Sequence, residues 1–247
     1  MNSTEIREDE TLEDLQIGGL KLLQKKNGFR FGMDSVLLAH FAFIHANDTV
    51  VDFGTGSGVL PLLLIGRKKG NTFQCIEIQE EIAEMAQRTV HMNHLENRIR
   101  IICGDAGKAE RWIQDCSVDA VICNPPYGTP GSSVISPSET RAVSRNQQAN
   151  TLDCFFRSAF RILKGRGRLY MVYPAPQMLQ IMKQMQLFHM EPKRFQLVYP
   201  YENKPANLVL IEAVKDARPT LHPMDPLIIY TAERHLTNRL KSVYHIE

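Results

Sequence analysis

The 247-residue sequence contains no run of about 18 apolar residues, so no segment reads as a membrane-spanning helix. Its opening residues lack the basic start and apolar core of a signal peptide and carry instead Glu5, Glu8, Asp9, Glu10, Glu13 and Asp14. Cysteine is scarce. Cys75, Cys103, Cys116, Cys123 and Cys154 are odd in number and include no CxxC pair. That pattern speaks against a disulfide framework and reads as buried free thiols, in keeping with a cytoplasmic protein. Tryptophan is confined to Trp112, expected in helix packing or the core. No internal repeat is present, so the chain is not a repeat array. His91 and His94 stand three apart with no further ligand evident, and no metal site is expected.

What is present suits a soluble globular protein: 43% apolar and 23% charged residues, in a length that fits one α/β domain with additions. A net charge of +2 hides an asymmetry. Residues 1–140 hold 13 Lys+Arg against 19 Asp+Glu, a net of −6; residues 141–247 hold 16 against 8, a net of +8. A basic half fits a polyanionic partner, and it equally fits a solvated surface.

Apolar strands alternate with helical patterns, which argues for a parallel sheet with helices on both faces. Strands are predicted at 49–53, 72–78, 98–103, 118–123 and 167–173. The helices fall at 59–67, 80–93, 152–163 and 176–187. A last pair, 194–199 and 207–214, has so short a connection that it must be antiparallel. Residues 128–150, rich in Ser, Pro, Thr and Gln, read as a functional loop or substrate lid. The acidic stretch 1–14 is expected to fray, 15–218 to form the main domain, and 219–247 to form an appendage, proline-rich and then helical.

Two motifs carry chemistry. Asn124-Pro125-Pro126-Tyr127 follows the apolar run 118–123. The Asn side-chain oxygen and a proline-fixed carbonyl can together accept both hydrogens of an NH2 group, leaving its lone pair to attack. The prolines fix φ and remove competing donors, and the Tyr ring gives a planar substrate a stacking face. Such an arrangement suits alkylation of an amide or an exocyclic amine. The second motif is Asp52-Phe53-Gly54-Thr55-Gly56-Ser57-Gly58, at the turn from a first strand into a helix. A dinucleotide loop of GxGxxG form needs glycine at position 59, which is Val59. Asp52 suits a cationic amino group better than a pyrophosphate. Glu77 ends the second strand, placed to take two ribose hydroxyls. Asp105 follows the third, placed to accept from an adenine amino group beside the Ala106 N–H. Taken singly, Asp105 reads as a helix cap and Glu77 as a surface charge; three acids at three successive strand ends read as a ligand site.

A third stretch, Gly18-Gly19-Leu20-Lys21-Leu22-Leu23-Gln24 followed by Gly28-Phe29-Arg30-Phe31-Gly32-Met33-Asp34-Ser35-Val36-Leu37-Leu38-Ala39, completes a resemblance. With the glycine loop, NPPY and Lys204-Pro205-Ala206-Asn207-Leu208-Val209-Leu210, residues 15–215 resemble the bacterial tRNA(Val) adenosine N6-methyltransferases. The resemblance implies a Rossmann-like class I fold, a seven-stranded mostly parallel sheet closed by an antiparallel hairpin. It implies S-adenosylmethionine as cofactor and transfer to adenine N6 in tRNA, at adenosine 37 of a tRNA(Val)-like target. The cofactor residues it implies are Asp52, Gly54, Thr55, Gly56, Glu77, Ile78, Asp105, Ala106 and Asn124, with Phe31 and Asp34 closing the pocket from below. Asn124, Pro125, Pro126 and Tyr127 are the implied catalytic group. Arg141, Arg145, Lys193, Arg194 and Lys204 are candidate RNA phosphate contacts. The chain departs from the family's A-R-H-E-like stretch with Ser144-Arg145-Asn146-Gln147, which bears on the RNA target rather than on methyl transfer.

NPPY alone leaves other amines open. A glutamine methyltransferase of peptide release factors uses the same motif, but that family carries a sizeable helical domain before its glycine loop, and only about 50 residues precede it here. A guanine N2-methyltransferase of ribosomal RNA is a further alternative. A non-catalytic RNA-binding protein on the same fold is the reading from a different class, and intact acids with an intact NPPY speak against it. No membrane or metal partner is expected, and the oligomeric state is left open.

Overall fold

The structure is a computed structural model that describes residues 6–27, 31–125 and 152–244. Phe29, Pro126, Tyr127, Arg141, Arg145 and the expected lid 128–150 lie outside the described residues.

The described chain opens with an antiparallel pair, β1 (Glu10–Asp14) and β2 (Lys21–Lys25). Glu10–Asp14 belongs to the acidic stretch expected to fray, yet it pairs along its full length with β2. Next come α1 (Met33–Phe41), β3 (Thr49–Phe53), α2 (Val59–Gly66), β4 (Thr72–Glu77), α3 (Glu80–Met92) and β5 (Ile99–Cys103). A 3-10 helix at Ala106–Arg111 leads to β6 (Val118–Cys123). After the undescribed segment, α4 (152–162) runs directly into β7 (Leu163–Pro174). The remainder is α5 (Met178–Leu187), β8 (Met190–Tyr201), β9 (Leu208–Lys215), the short β10 (His222–Pro223) and β11 (Leu227–Tyr230), and α6 (Asn238–Tyr244).

The main sheet has the order β10-β8-β9-β7-β6-β3-β4-β5, with β11 also pairing with β8. β5, β4, β3, β6 and β7 are mutually parallel, and β9 is antiparallel to both neighbours. The expected seven strands are all present, but the sheet has nine, because residues 219–230 add β10 and β11 parallel to β8. Two residues of pairing and a four-residue apolar run, Leu227–Tyr230, give too weak a period for the sequence to reveal them.

Alternation along the strands builds two cores. Val50, Ala120, Ile122, Tyr170 and Leu210 pack under α1, α2 and α6; Val51, Phe53, Val121, Met171 and Ile211 pack under α4 and α5. α2 reads Val-Leu-Pro-Leu-Leu-Leu-Ile-Gly and is apolar on every side, as a helix enclosed by neighbours must be. Pro61 is tolerated there because first-turn N–H groups have no partner within the helix. The strand order reverses between β3 and β6, so their carboxyl ends diverge into the crevice where open α/β sheets bind ligands.

Candidate active site

The glycine loop begins where β3 stops. Gly54, Gly56 and Gly58 have φ of 71°, 57° and 89°, a region that costs L-residues roughly 1–2 kcal/mol each. The N–H groups of Gly54 and Thr55 both donate to the Ile76 carbonyl, at 2.9 and 3.0 Å, folding the loop over the end of β4. A Cβ at Gly54 or Gly56 would meet nothing within 4 Å. Backbone conformation therefore demands these glycines, and their Cα atoms face open space that a ligand can fill.

Asp52 lies just beneath. Its residue is 1% exposed, and among the described residues neither carboxylate oxygen has a hydrogen-bond partner; the buried Thr55 hydroxyl is likewise unmatched. Burial pushes the Asp52 carboxyl up to about 7, Thr55 close by offsets part of that, and the charge of Glu77 adds to it. Cys75 and Cys123, on the strands either side, are raised well above the ordinary thiol range by burial first and by Asp52 second. They are inert neighbours rather than nucleophiles.

Glu77 is buried at the end of β4 and accepts from Gly56 N–H at 3.0 Å and Gln79 N–H at 2.9 Å. One carboxylate thus ties the glycine loop to the turn entering α3. The next residue, Ile78, just past the end of β4, is an apolar side chain left 67% exposed. Asp105 takes its helix-cap role: its carboxylate accepts from Gly107 N–H at 2.9 Å, and Lys108 stands 3.5 Å away. Ala106, which follows, is buried.

Asn124 follows β6, the parallel neighbour of β3, so it reaches the same edge as the glycine loop. Its Nδ2 donates to the buried Ser35 hydroxyl at 3.1 Å. That bond commits the donor end of the amide to α1. Pro125 is buried beside it. Asp34, one residue before Ser35, lies close enough to Tyr244 of α6 to add to the burial that pushes that phenol up to about 12. Phe31 packs against the core under α1 and lines a cavity of about 160 Å³ with Ile17, Val36, Leu63, Arg67 and Tyr244.

The methyltransferase small domain model matches residues 32–191, from the approach to α1 into β8. This chain belongs to the methyltransferase small domain family. Among similar proteins, a tRNA1(Val) (adenine(37)-N6)-methyltransferase of Photobacterium profundum is 24% identical over 210 residues, covering 84% of this chain and 87% of the relative. One from Erwinia tasmaniensis is 28% identical over 211 residues, covering 77% and 83%. The crystal structure of a predicted O-methyltransferase from Agrobacterium tumefaciens has the same fold, with a TM-score of 0.68 at 22% identity over 86% of this chain and 96% of that one.

Within this methyltransferase the described basic candidates part company. Lys204 is exposed in the β8–β9 turn, at the sheet edge that also bears Asn124. Lys193 and Arg194 lie in the first half of β8, away from that turn. Lys193 donates to the Arg218 carbonyl at 3.1 Å, and Arg194 pairs with the buried Glu212 at 2.5 Å. Ser35 was not among the residues singled out from sequence. It sits in a quoted motif, but nothing local says that the first turn of α1 meets the end of β6.

Proposed function

We propose that this methyltransferase takes its methyl group from S-adenosylmethionine and places it on the exocyclic N6 of an adenine in tRNA. One observation carries the reading: a buried Asp52 whose oxygens have no hydrogen-bond partner among the described residues, one strand away from the Asn124-Pro125 pair. An unsatisfied buried carboxylate costs several kcal/mol unless a cation or donor meets it, so the site fits a ligand carrying an ammonium group. The open space over Gly54 and Gly56 fits the same ligand. When bound, S-adenosylmethionine supplies a methyl group on a sulfonium.

The protein's own groups hold and orient. Asp52 would meet the ammonium, Gly54, Thr55 and Gly56 would line the chain that bears it, and Glu77, its oxygens already ordered by two N–H donors, would take the ribose hydroxyls. Ile78 would offer an apolar surface to the adenine, with Asp105 and the Ala106 N–H as the polar groups that would hold it. At the acceptor, Asn124 Oδ1 and the Pro125 carbonyl take the two hydrogens of the target NH2, which draws the nitrogen toward tetrahedral geometry and aims its lone pair. The next residues in the chain, Pro126 and Tyr127, supply a stiff backbone and a stacking face for an extruded base. Orientation then provides most of the acceleration, and no strong base is required because the methylated amine loses its proton after transfer. The names of the similar proteins and the basic second half favour tRNA as acceptor.

The test is incubation with labelled S-adenosylmethionine and, in parallel, unmodified tRNA, ribosomal RNA or release factor, followed by nucleoside analysis. N6-methyladenosine in tRNA is expected. Label in guanine or in glutamine would overturn the adenine assignment. Asn124→Ala should abolish transfer and leave cofactor binding intact.

A further inference from the structure

A second concavity lies on the face that α1, α2 and α6 cover, and the scheme above gives it no part. A cavity of about 230 Å³ opens where α1 ends, lined by His40, Phe41, Phe43, Lys69, Arg194 and Arg239 among others. Ser35, which touches Asn124, is most of α1 away, so roughly 10 Å of helix separates the two places.

The lining is rich in positive charge. Lys69 Nζ donates to the Ala39, His40 and Ala42 carbonyls at 2.9, 3.0 and 2.5 Å, closing the end of α1. Burial first, then the charges of Arg67 and Arg194, bring its ammonium down to about 8. These cations therefore act on one another. Glu212 stands between Arg194 at 2.5 Å and Arg168 at 3.3 Å, one carboxylate for two guanidiniums. Arg239 is exposed and meets the carboxylate of Asp225 only at 4.0 Å.

Beside them Phe43 is 55% exposed. Its ring stands edge-on to His45, with centroids 5.0 Å apart, and the Arg168 guanidinium lies 5.8 Å from its centre. A half-exposed aromatic ring among cations is the combination that binds a base by stacking and its phosphate by charge. A purely apolar partner would desolvate the exposed Arg239, whose guanidinium donates to the Pro226 carbonyl at 3.3 Å and has its carboxylate neighbour 4.0 Å away, so charge complementarity favours a nucleotide.

We propose that this pocket seats one nucleotide of the RNA substrate, its base on Phe43 and its phosphate against Arg239 and Arg194, apart from the nucleotide that is methylated. The proposal rests on the RNA reading above and adds a second anchoring point to it.

Fluorescence anisotropy of the full chain with unmodified tRNA tests it. Phe43→Ala should weaken binding about tenfold, and Phe43→Leu, which keeps apolar bulk without a π face, nearly as much. Arg239→Gln should weaken it and flatten the dependence of log K on log salt by roughly one unit or slightly less. All three variants should keep wild-type melting and wild-type affinity for S-adenosylmethionine, since Phe43 and Arg239 are exposed and far from the glycine loop. If the wild type binds tRNA and the variants bind it equally well, the pocket assignment is overturned. If the wild type binds no tRNA at all, the RNA reading falls and this one with it.

Discussion

Glu10 and Asp52 are both buried carboxylates, 3% and 1% exposed, in opposite surroundings. Glu10 joins β1 to α3 through Arg88, whose Nη1 and Nη2 donate at 2.8 and 2.5 Å, and it accepts from Arg7 N–H at 3.1 Å. Arg88 is the main cause of its lowered pKa. Asp52 has no hydrogen-bonded partner among the described residues, and burial lifts it to about 7. The first is a completed structural contact and the second an incomplete one. A fold tolerates an incomplete buried charge only at a few kcal/mol, so such a group marks a place where a ligand finishes the structure.

Their pH dependences run in opposite directions. Folded Glu10 binds fewer protons than unfolded Glu10, so its contribution is complete above its ordinary pKa of 4.5 and is lost as pH falls through the lowered folded value. Folded Asp52 keeps its proton up to about 7, whereas unfolded it loses it near 3.8, so its contribution declines as pH rises across that interval.

The contrast can be broken most forcefully at Arg88. Arg88→Met removes the guanidinium that pairs with the buried Glu10, leaving it the Arg7 N–H and Lys25 at 4.0 Å, and should destabilise the fold by about 3–5 kcal/mol in urea unfolding. Adding Glu10→Leu should recover much of that loss. At Asp52 the expectation reverses. Asp52→Asn should lose cofactor affinity by about 100-fold or more, measured by calorimetry, because the ammonium loses its counter-charge. Its stability relative to the wild type should nevertheless rise by roughly 2–3 kcal/mol between pH 5 and pH 8, as the wild-type carboxyl is forced to ionise. In the wild type, cofactor affinity should increase about eightfold from pH 6 to pH 7.5 and then level off, since the bound form requires the ionised Asp52. A flat profile would remove Asp52 from the site. The smallest effect is expected at Ser35: Ser35→Ala removes one hydrogen bond that orients the Asn124 amide and should lower kcat about fivefold, near 1 kcal/mol, with cofactor affinity unchanged.

The parallel strands were legible because β3, β4 and β6 are short apolar runs closed by turn residues, and the β8–β9 hairpin because its connection is short. The antiparallel pairing around Glu10 was not legible: five consecutive residues, Glu-Thr-Leu-Glu-Asp, carry no strand period, and the distant Arg88 is the main partner that makes a buried acid there tolerable. At the site, Asp52, Glu77 and Asn124 were named from motifs, and the fold brings their three strand ends to one edge. The motifs carried no sign of how differently the acids are solvated. Glu77 is held by two N–H groups, Asp105 caps a helix turn, and Asp52 alone has no hydrogen bond among the described residues. Ser35 and Phe43 escaped notice because a serine in a helix and a phenylalanine after one look like packing until their neighbours are known.

By itself, then, the sequence determined the order of the seven main strands and the helices between them, the glycine turn and an Asn-Pro pair placed straight after a strand, since these depend on residues adjacent in the chain. Tertiary structure alone decided which carboxylate is left unpaired, which side chain holds the Asn124 amide, and which cations gather around an exposed ring. Each of those depends on burial and on partners tens of residues apart, and electrostatic free energy in a protein is set by that environment rather than by the residue type.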